Sequence, residues 1–131
     1  MINITCQELL DLRENYQFEV KSAQGRNGKG EVPKDVWESY SSMANSEGGL
    51  ILLGAKELKD GSLEFLGIKE IDKVHKEFWT TVNNTQKVNY NVLSPTDIQI
   101  LVCDEKSLLL VKISQASRKQ KPIYLGSNPL T

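Results

Sequence analysis

Hydrophobic positions recur along this chain with three different spacings, and each spacing predicts a different element. Val36, Trp37, Tyr40, Met43 and Ala44 fall on one face of a helix, a stripe that folding must bury. Leu50 to Leu53 are four apolar residues in a row, the mark of a strand covered on both faces. Gln17 to Ser22 alternates instead, with Phe18 and Val20 to one side and Glu19 and Lys21 to the other. Between the helix and the apolar run lies Asn45-Ser46-Glu47-Gly48-Gly49. Paired glycines can take positive φ where a helix ends, and Gly54 then closes the strand and lets the chain turn. A helix that reverses sharply onto a central strand is the unit around which the other segments are placed.

Those segments follow the same logic. Thr5 to Glu8 has capping-box spacing, so a short helix is expected from Cys6 to Leu12 or Arg13. Ala23 to Val32 holds three glycines and no periodicity, which predicts a mobile loop. Pro33 is expected to open the organising helix as a first-turn proline. Lys59-Asp60-Gly61 reads as a hairpin turn leading into Ser62 to Leu66. A further helix is expected from Asp72 as N-cap, with Val74, Phe78 and Val82 on its buried face, fading at Asn83-Asn84. Lys87 to Asp97 is turn-rich. Ile98 to Cys103 and Leu108 to Ile113 form a hairpin pair around Asp104-Glu105-Lys106, and a basic segment from Ala116 to Tyr124 leads into a short last strand. The predicted fold is α+β: a mixed, mostly antiparallel sheet with about three helices packed on it.

Composition narrows the picture only slightly. The 131 residues suit one domain, 39% hydrophobic and 25% charged, as in an ordinary soluble globule. A net charge of −1 leaves a nucleic-acid partner to be argued from local basic patches alone. Cys6 and Cys103 match no metal-ligand spacing, so free thiols in a reducing cytoplasm are expected and a structural zinc is not. No run of residues has the length and hydrophobicity of a membrane span, and no signal-peptide pattern is present.

Three sets of residues carry candidate chemistry. The first is Glu14, Glu19 and Glu57, with Lys21 beside Glu19 on one strand face. If the first strand pairs with the central one, the three carboxylates could converge at one sheet end. Two carboxylates ~4 Å apart repel by about 4 kcal/mol at an effective dielectric near 20, so such a cluster calls for a cation or Lys21 between them. Bound Mg²⁺ or Mn²⁺ would suit metal-dependent phosphodiester cleavage, with the lysine steadying the attacking water. A solvated strand face with a Glu19–Lys21 pair explains the same residues without chemistry. The second set is cationic: Arg26, Lys29 and Lys34 early, Arg118, Lys119 and Lys121 late, with Tyr16 and Tyr124 as stacking surfaces. The two clusters could flank one groove that follows a phosphate backbone, or simply solubilise loops. The third is the Asn45–Gly49 turn. It could cradle a phosphate through its N–H groups, yet it lacks the P-loop pattern and reads equally as a helix stop. His75, the only histidine, has no partner in view for a catalytic triad.

Several motifs together resemble one family. They are Glu14-x4-Glu19-x-Lys21, Pro33-x3-Trp37-Glu38 and the run Ser42-Met43-Ala44-Asn45-Ser46-Glu47-Gly48-Gly49-Leu50-Ile51-Leu52-Leu53-Gly54. Phe78-Trp79-x3-Asn83-Asn84 with Lys87-Val88, and Ala116-x-Arg118-x2-Lys121-Pro122-Ile123-Tyr124, extend the match over nearly the whole chain. The pattern is similar to the Schlafen AlbA_2 domain, also called divergent AAA-4. That resemblance implies a nucleic-acid-binding module, common at the N-terminus of bacterial proteins described as transcriptional regulators. Many of those carry a winged-helix segment further on, and some are labelled helicase- or ATPase-like. In the nuclease branch of the family three acids cleave RNA, at positions matching Glu14, Glu19 and Glu57. Here Glu57 stands where that branch usually has Asp, and the zinc-binding set of the animal Schlafen core is absent. The sequence ends about where such domains continue into a further strand, so residues 1–131 are expected to be one domain of a longer protein.

Three functions follow as expectations. The leading one is a cytoplasmic module that binds DNA or RNA through its basic loops and needs no cofactor. The second is a metal-dependent endoribonuclease built on the three carboxylates. The third is a structural or homodimerising platform, or an ATPase- or helicase-like regulator domain, serving a C-terminal partner domain.

Overall fold

The computed structural model describes residues 5–84, 88, 91, 93–117, 122, 123 and 125, leaving aside the side chains of Asn15 and Pro95. Helix α1 (Cys6–Asn15) starts at Thr5, whose hydroxyl accepts the Glu8 N–H as the capping-box spacing predicts. Strand β1 (Phe18–Lys21) follows, then helix α2 (Val36–Asn45) and strand β2 (Gly49–Leu53). A small hairpin of β3 (Ala55–Glu57) and β4 (Leu63–Phe65) leads to helix α3 (Ile71–Val82). A 3₁₀ turn at Pro95–Asp97 precedes β5 (Ile98–Cys103) and β6 (Lys106–Ile113).

Four strands form the main sheet in the order β1-β2-β6-β5. β1 runs parallel to β2, with α2 as the crossover between them, and the other two pairings are antiparallel. The fold is therefore α+β, with three helices and a mixed, mostly antiparallel sheet. β2 is buried along its full length, as its unbroken apolar run requires. Its side chains divide between two cores. Ile51 and Leu53 meet α2 and α3 through Val36, Tyr40, Met43, Val74 and Phe78. Leu50 and Leu52 meet Leu9 of α1 and the hairpin residues Leu63 and Phe65 on the other face. Each fully buried side chain of this kind stabilises the fold by roughly 1.5–3 kcal/mol. Trp37 covers the edge of the first core, its ring 4.8 Å from Phe78 and 6.1 Å from Tyr40 between centroids.

Several boundaries differ from the sequence expectation for identifiable reasons. Pro33 lies outside α2: its carbonyl accepts the Val36 N–H, closing a turn ahead of the helix. α3 begins one residue before Asp72, capped at Glu70, whose own N–H is held by the Lys29 carbonyl. β6 starts at Lys106 because the hairpin turn needs only Asp104 and Glu105, both at positive φ (52° and 64°). Of the paired glycines only Gly48 takes positive φ, at 81°. Gly49 is required for space, since a Cβ there would meet Met43 Sδ at 2.7 Å and the Gln17 carbonyl at 2.9 Å. Gly54, at φ 100°, bends the chain out of the main sheet and into the β3–β4 hairpin. In that hairpin's loop the Ser62 hydroxyl and N–H donate to Asp60, holding its carboxyl below the usual aspartate value.

The expectation of free thiols is overturned. Cys6 opens α1 and Cys103 closes β5, and the packing of α1 over the sheet joins them in a disulfide with Cα atoms 5.8 Å apart. They lie 97 positions apart in the sequence, so spacing alone could not pair them. Among the described residues, no helix is long and apolar enough to cross a membrane.

Candidate nucleic-acid interface

The early basic loop has a fixed stem and an open tip. Gly30 and Glu31 donate their N–H groups to the carbonyls of Gln24 and Ala23, at 2.9 and 3.0 Å, and so close the loop at its base. Gly30 presses on the first core at φ 126°, where a Cβ would come within 2.5 Å of Ile68 Cγ2. Lys29 O accepts the Glu70 N–H and Glu77 Oε1 accepts the Val32 N–H, tying the stem to α3. The segment expected to be a mobile loop is thus moored at its base. Arg26, Lys29 and Lys34 project from it into solvent. Among the described residues these three form no ion pair. Arg26 and Lys34 line one open depression of about 570 Å³ with Gln24, Gly25 and a single acid, Glu31. Arg26 also borders a smaller depression shared with Lys73, Glu31 and Glu77.

Arg118, Lys119, Lys121 and Tyr124 of the late basic segment lie outside the described residues. The points on either side of it are held firmly. Ala116 donates its N–H to the Ala44 carbonyl at 2.7 Å. Asn45 grips Ile123 with both ends of its amide: Oδ1 accepts the Ile123 N–H and Nδ2 donates to the Ile123 carbonyl, each at 2.7 Å. Ser41 adds a 2.6 Å bond to that carbonyl. Asn45 therefore reproduces a strand partner's pairing with a side chain. The sequence placed Asn45 in a turn motif; the one signal for a clamp on a second segment is an amide side chain at a helix's last position. Gly48, three residues on, fits beneath β6: a Cβ there would lie 2.4 Å from the Ile113 carbonyl.

The acids are divided between faces of the sheet. Glu14 and Glu57 line one open depression with Leu10, Arg13, Tyr16 and Phe18. Arg13 donates to the Glu57 carboxylate and to the Gly61 carbonyl, bridging α1 to the hairpin. Glu19 is paired in register with Ile51 and so points to the α2 face, away from Phe18. Lys21, on the same face, bonds Asp35 at 2.9 Å rather than a neighbouring glutamate. The convergence of three carboxylates expected from the sequence does not occur in this arrangement. Among the described residues no group of three histidine, cysteine or acidic side chains is placed to hold a metal ion. Arg13 was not singled out by spacing, because its partners are more than forty positions away. Tyr16 sits in the acidic depression, not beside Arg26 and Lys34. His75 is half-buried on α3, next to Asp72, Lys76, Trp79 and Ile98.

Comparison with known proteins follows this geometry. The Schlafen AlbA_2 family profile matches residues 14–128, the span from Glu14 near the end of α1 to beyond the late basic segment. No curated protein matches the chain. Among solved structures, it is similar to the N-terminal domain of a protein from Nitrosomonas europaea named for its relation to the ATP-dependent DNA helicase RecG. That similarity has a TM-score of 0.70 at 24% identity, covering 96% of this chain and 83% of the other. The DIP2311 protein from Corynebacterium diphtheriae shares the fold at a TM-score of 0.53 and 16% identity, over 89% of this chain and 23% of that one. Both likenesses concern the fold.

Proposed function

This chain belongs to the Schlafen AlbA_2 family, and on that premise we propose that it is a nucleic-acid-binding module of a transcriptional regulator, gripping the phosphate backbone through its basic loops. The observation that carries the reading is the pair Arg26 and Lys34, exposed and without ion pairs among the described residues, at one open depression on a stem fixed to α3. Cations on a rigid platform supply backbone contacts without reading bases. The name of the Nitrosomonas europaea protein, with its reference to a DNA helicase, supports the same class of partner. Arg118, Lys119, Lys121 and Tyr124 are assigned here by their charge and aromatic character, and by the mooring of Ala116 and Ile123 to α2.

Titration of labelled duplex DNA and of single-stranded RNA at two salt concentrations tests the proposal. Each neutralised phosphate contributes a log–log slope of about −0.9 on duplex DNA and about −0.7 on a single strand. No binding to either probe at low salt rejects it. The divided acids do not fit a Mg²⁺ or Mn²⁺ site in this arrangement, and we derive no cleavage step through such an ion. Mn²⁺-dependent cutting of labelled tRNA that a Glu57→Gln substitution abolishes would replace the binding reading with the nuclease one.

A further inference from the structure

The disulfide joins two sulfurs in unequal surroundings. Cys103 is 1% exposed at the end of β5, inside the second core, whereas Cys6 is partly exposed at the first position of α1. Contacts other than the bond hold both cysteines in place. β5 pairs with β6 in register from Ile98 to Cys103. α1 is attached along its length by the disulfide in its first turn, by Leu9, and by Arg13 in its last turn, which reaches Glu57 and Gly61. Leu9 is the one fully buried side chain among those described in α1, and Leu10 is 46% exposed. Cys6 Sγ also lies 3.1 Å from the Val102 carbonyl oxygen, which can accept the thiol's proton once the bond is broken. Leu9 and Arg13 thus keep Cys6 near Cys103 after reduction, while the turn ahead of Leu9 loses its covalent hold. The family match begins at Glu14, so Cys6 stands outside the span that the family profile describes.

We propose that Cys6–Cys103 is a thiol–disulfide exchange site for small thiols and disulfides of the glutathione class, with Cys6 as the sulfur attacked and the first turn of α1 as the element released. In reduction, a small thiolate attacks Cys6 Sγ and forms a mixed disulfide there, and Cys103 departs as a thiolate that takes up a proton. A second small thiolate attacks the small-molecule sulfur of that mixed disulfide. Cys6 leaves as its thiolate, and the two small thiols depart joined as a disulfide, having supplied two electrons. Oxidation runs the same steps backward: Cys6 opens the small disulfide, and Cys103 then displaces the second small thiol from Cys6. Departure of a buried thiolate slows the first step, but attack needs access to a sulfur, and access is greater at Cys6. The site makes the seating of α1 on the sheet dependent on the surrounding thiol–disulfide balance. This inference is independent of the nucleic-acid reading and stands if that reading fails.

Equilibration of the whole 131-residue chain in glutathione buffers, from strongly oxidising to strongly reducing, tests the couple. After acid quenching and alkylation, mass spectrometry should show both cysteines changing together in one two-electron transition. A bond that never forms, or that opens only when the chain is denatured, overturns the proposal. For the site of attack, Cys103→Ser treated with oxidised glutathione should take up one glutathione at Cys6. Its rate should exceed that of Cys103 in Cys6→Ser by more than about tenfold. A brief pulse of reduced glutathione on the unsubstituted chain, followed by peptide mapping, gives the same assignment without a substitution in the core. Glutathione found equally on both cysteines overturns the role of Cys6. NMR relaxation reads the release: order parameters of residues 6–8 should fall from about 0.85 to below about 0.6 on reduction, with those of β2 unchanged. Unchanged values in α1 overturn the release, and an equal fall in β2 overturns its confinement to α1.

Discussion

The two ends of α2 hold the two halves of this molecule's motif, and they are built on opposite principles. At the C-terminal end, Asn45, Gly48 and Gly49 are locked by packing and paired hydrogen bonds, with no room for an added methyl group. At the N-terminal end, Asp35 and the preceding loop meet solvent, and their one ion pair among the described residues, to Lys21, has an aspartate more than half exposed. The first end fixes where chain segments lie. The second presents charge. Substitutions at one should therefore change stability, and at the other binding.

The largest effect is expected from Gly48→Ala. Left-handed backbone costs an L-residue roughly 1–2 kcal/mol, and the new Cβ would sit 2.4 Å from a backbone carbonyl that cannot swing aside. A loss of about 2–4 kcal/mol follows, with a melting temperature lower by roughly 10 °C in a calorimetric scan. Asn45→Ala should come next. It leaves the Ile123 N–H without its acceptor, while Ser41 still serves the carbonyl, so about 1–2 kcal/mol is lost. Hydrogen exchange at the Ile123 amide should accelerate well before global unfolding does. Asp35→Asn, at the other end, should cost less than about 1 kcal/mol in denaturant titration, the range of a surface ion pair. If Asp35→Asn proves as damaging as Asn45→Ala, the contrast between the ends is wrong.

The same contrast marks what the sequence made legible. Periodicity located α2, α3 and the buried central strand, and capping-box spacing located α1; burial on one face or two leaves a direct trace in the spacing of Val36, Tyr40 and Met43, or of Leu50 to Leu53. The Gly48–Gly49 stop was legible too, although the second glycine serves close packing and not positive φ. Contacts between distant segments were not. Cys6 with Cys103, Arg13 with Glu57 and Asn45 with Ile123 each join positions brought together only by topology. The acids show the limit most clearly. Their expected convergence is conditional on β1 pairing with β2; the pairing forms, yet the alternation that carries Phe18 to the acidic depression carries Glu19 to the opposite face.

Fluorescence anisotropy of a labelled duplex at low salt, comparing the unsubstituted chain with an Arg26→Glu/Lys34→Glu double variant, tests the central claim most directly. The account predicts unchanged melting for the variant, with affinity down by more than about tenfold and a shallower salt slope by about two phosphates' worth. Equal affinity and equal slope for the two proteins would contradict it.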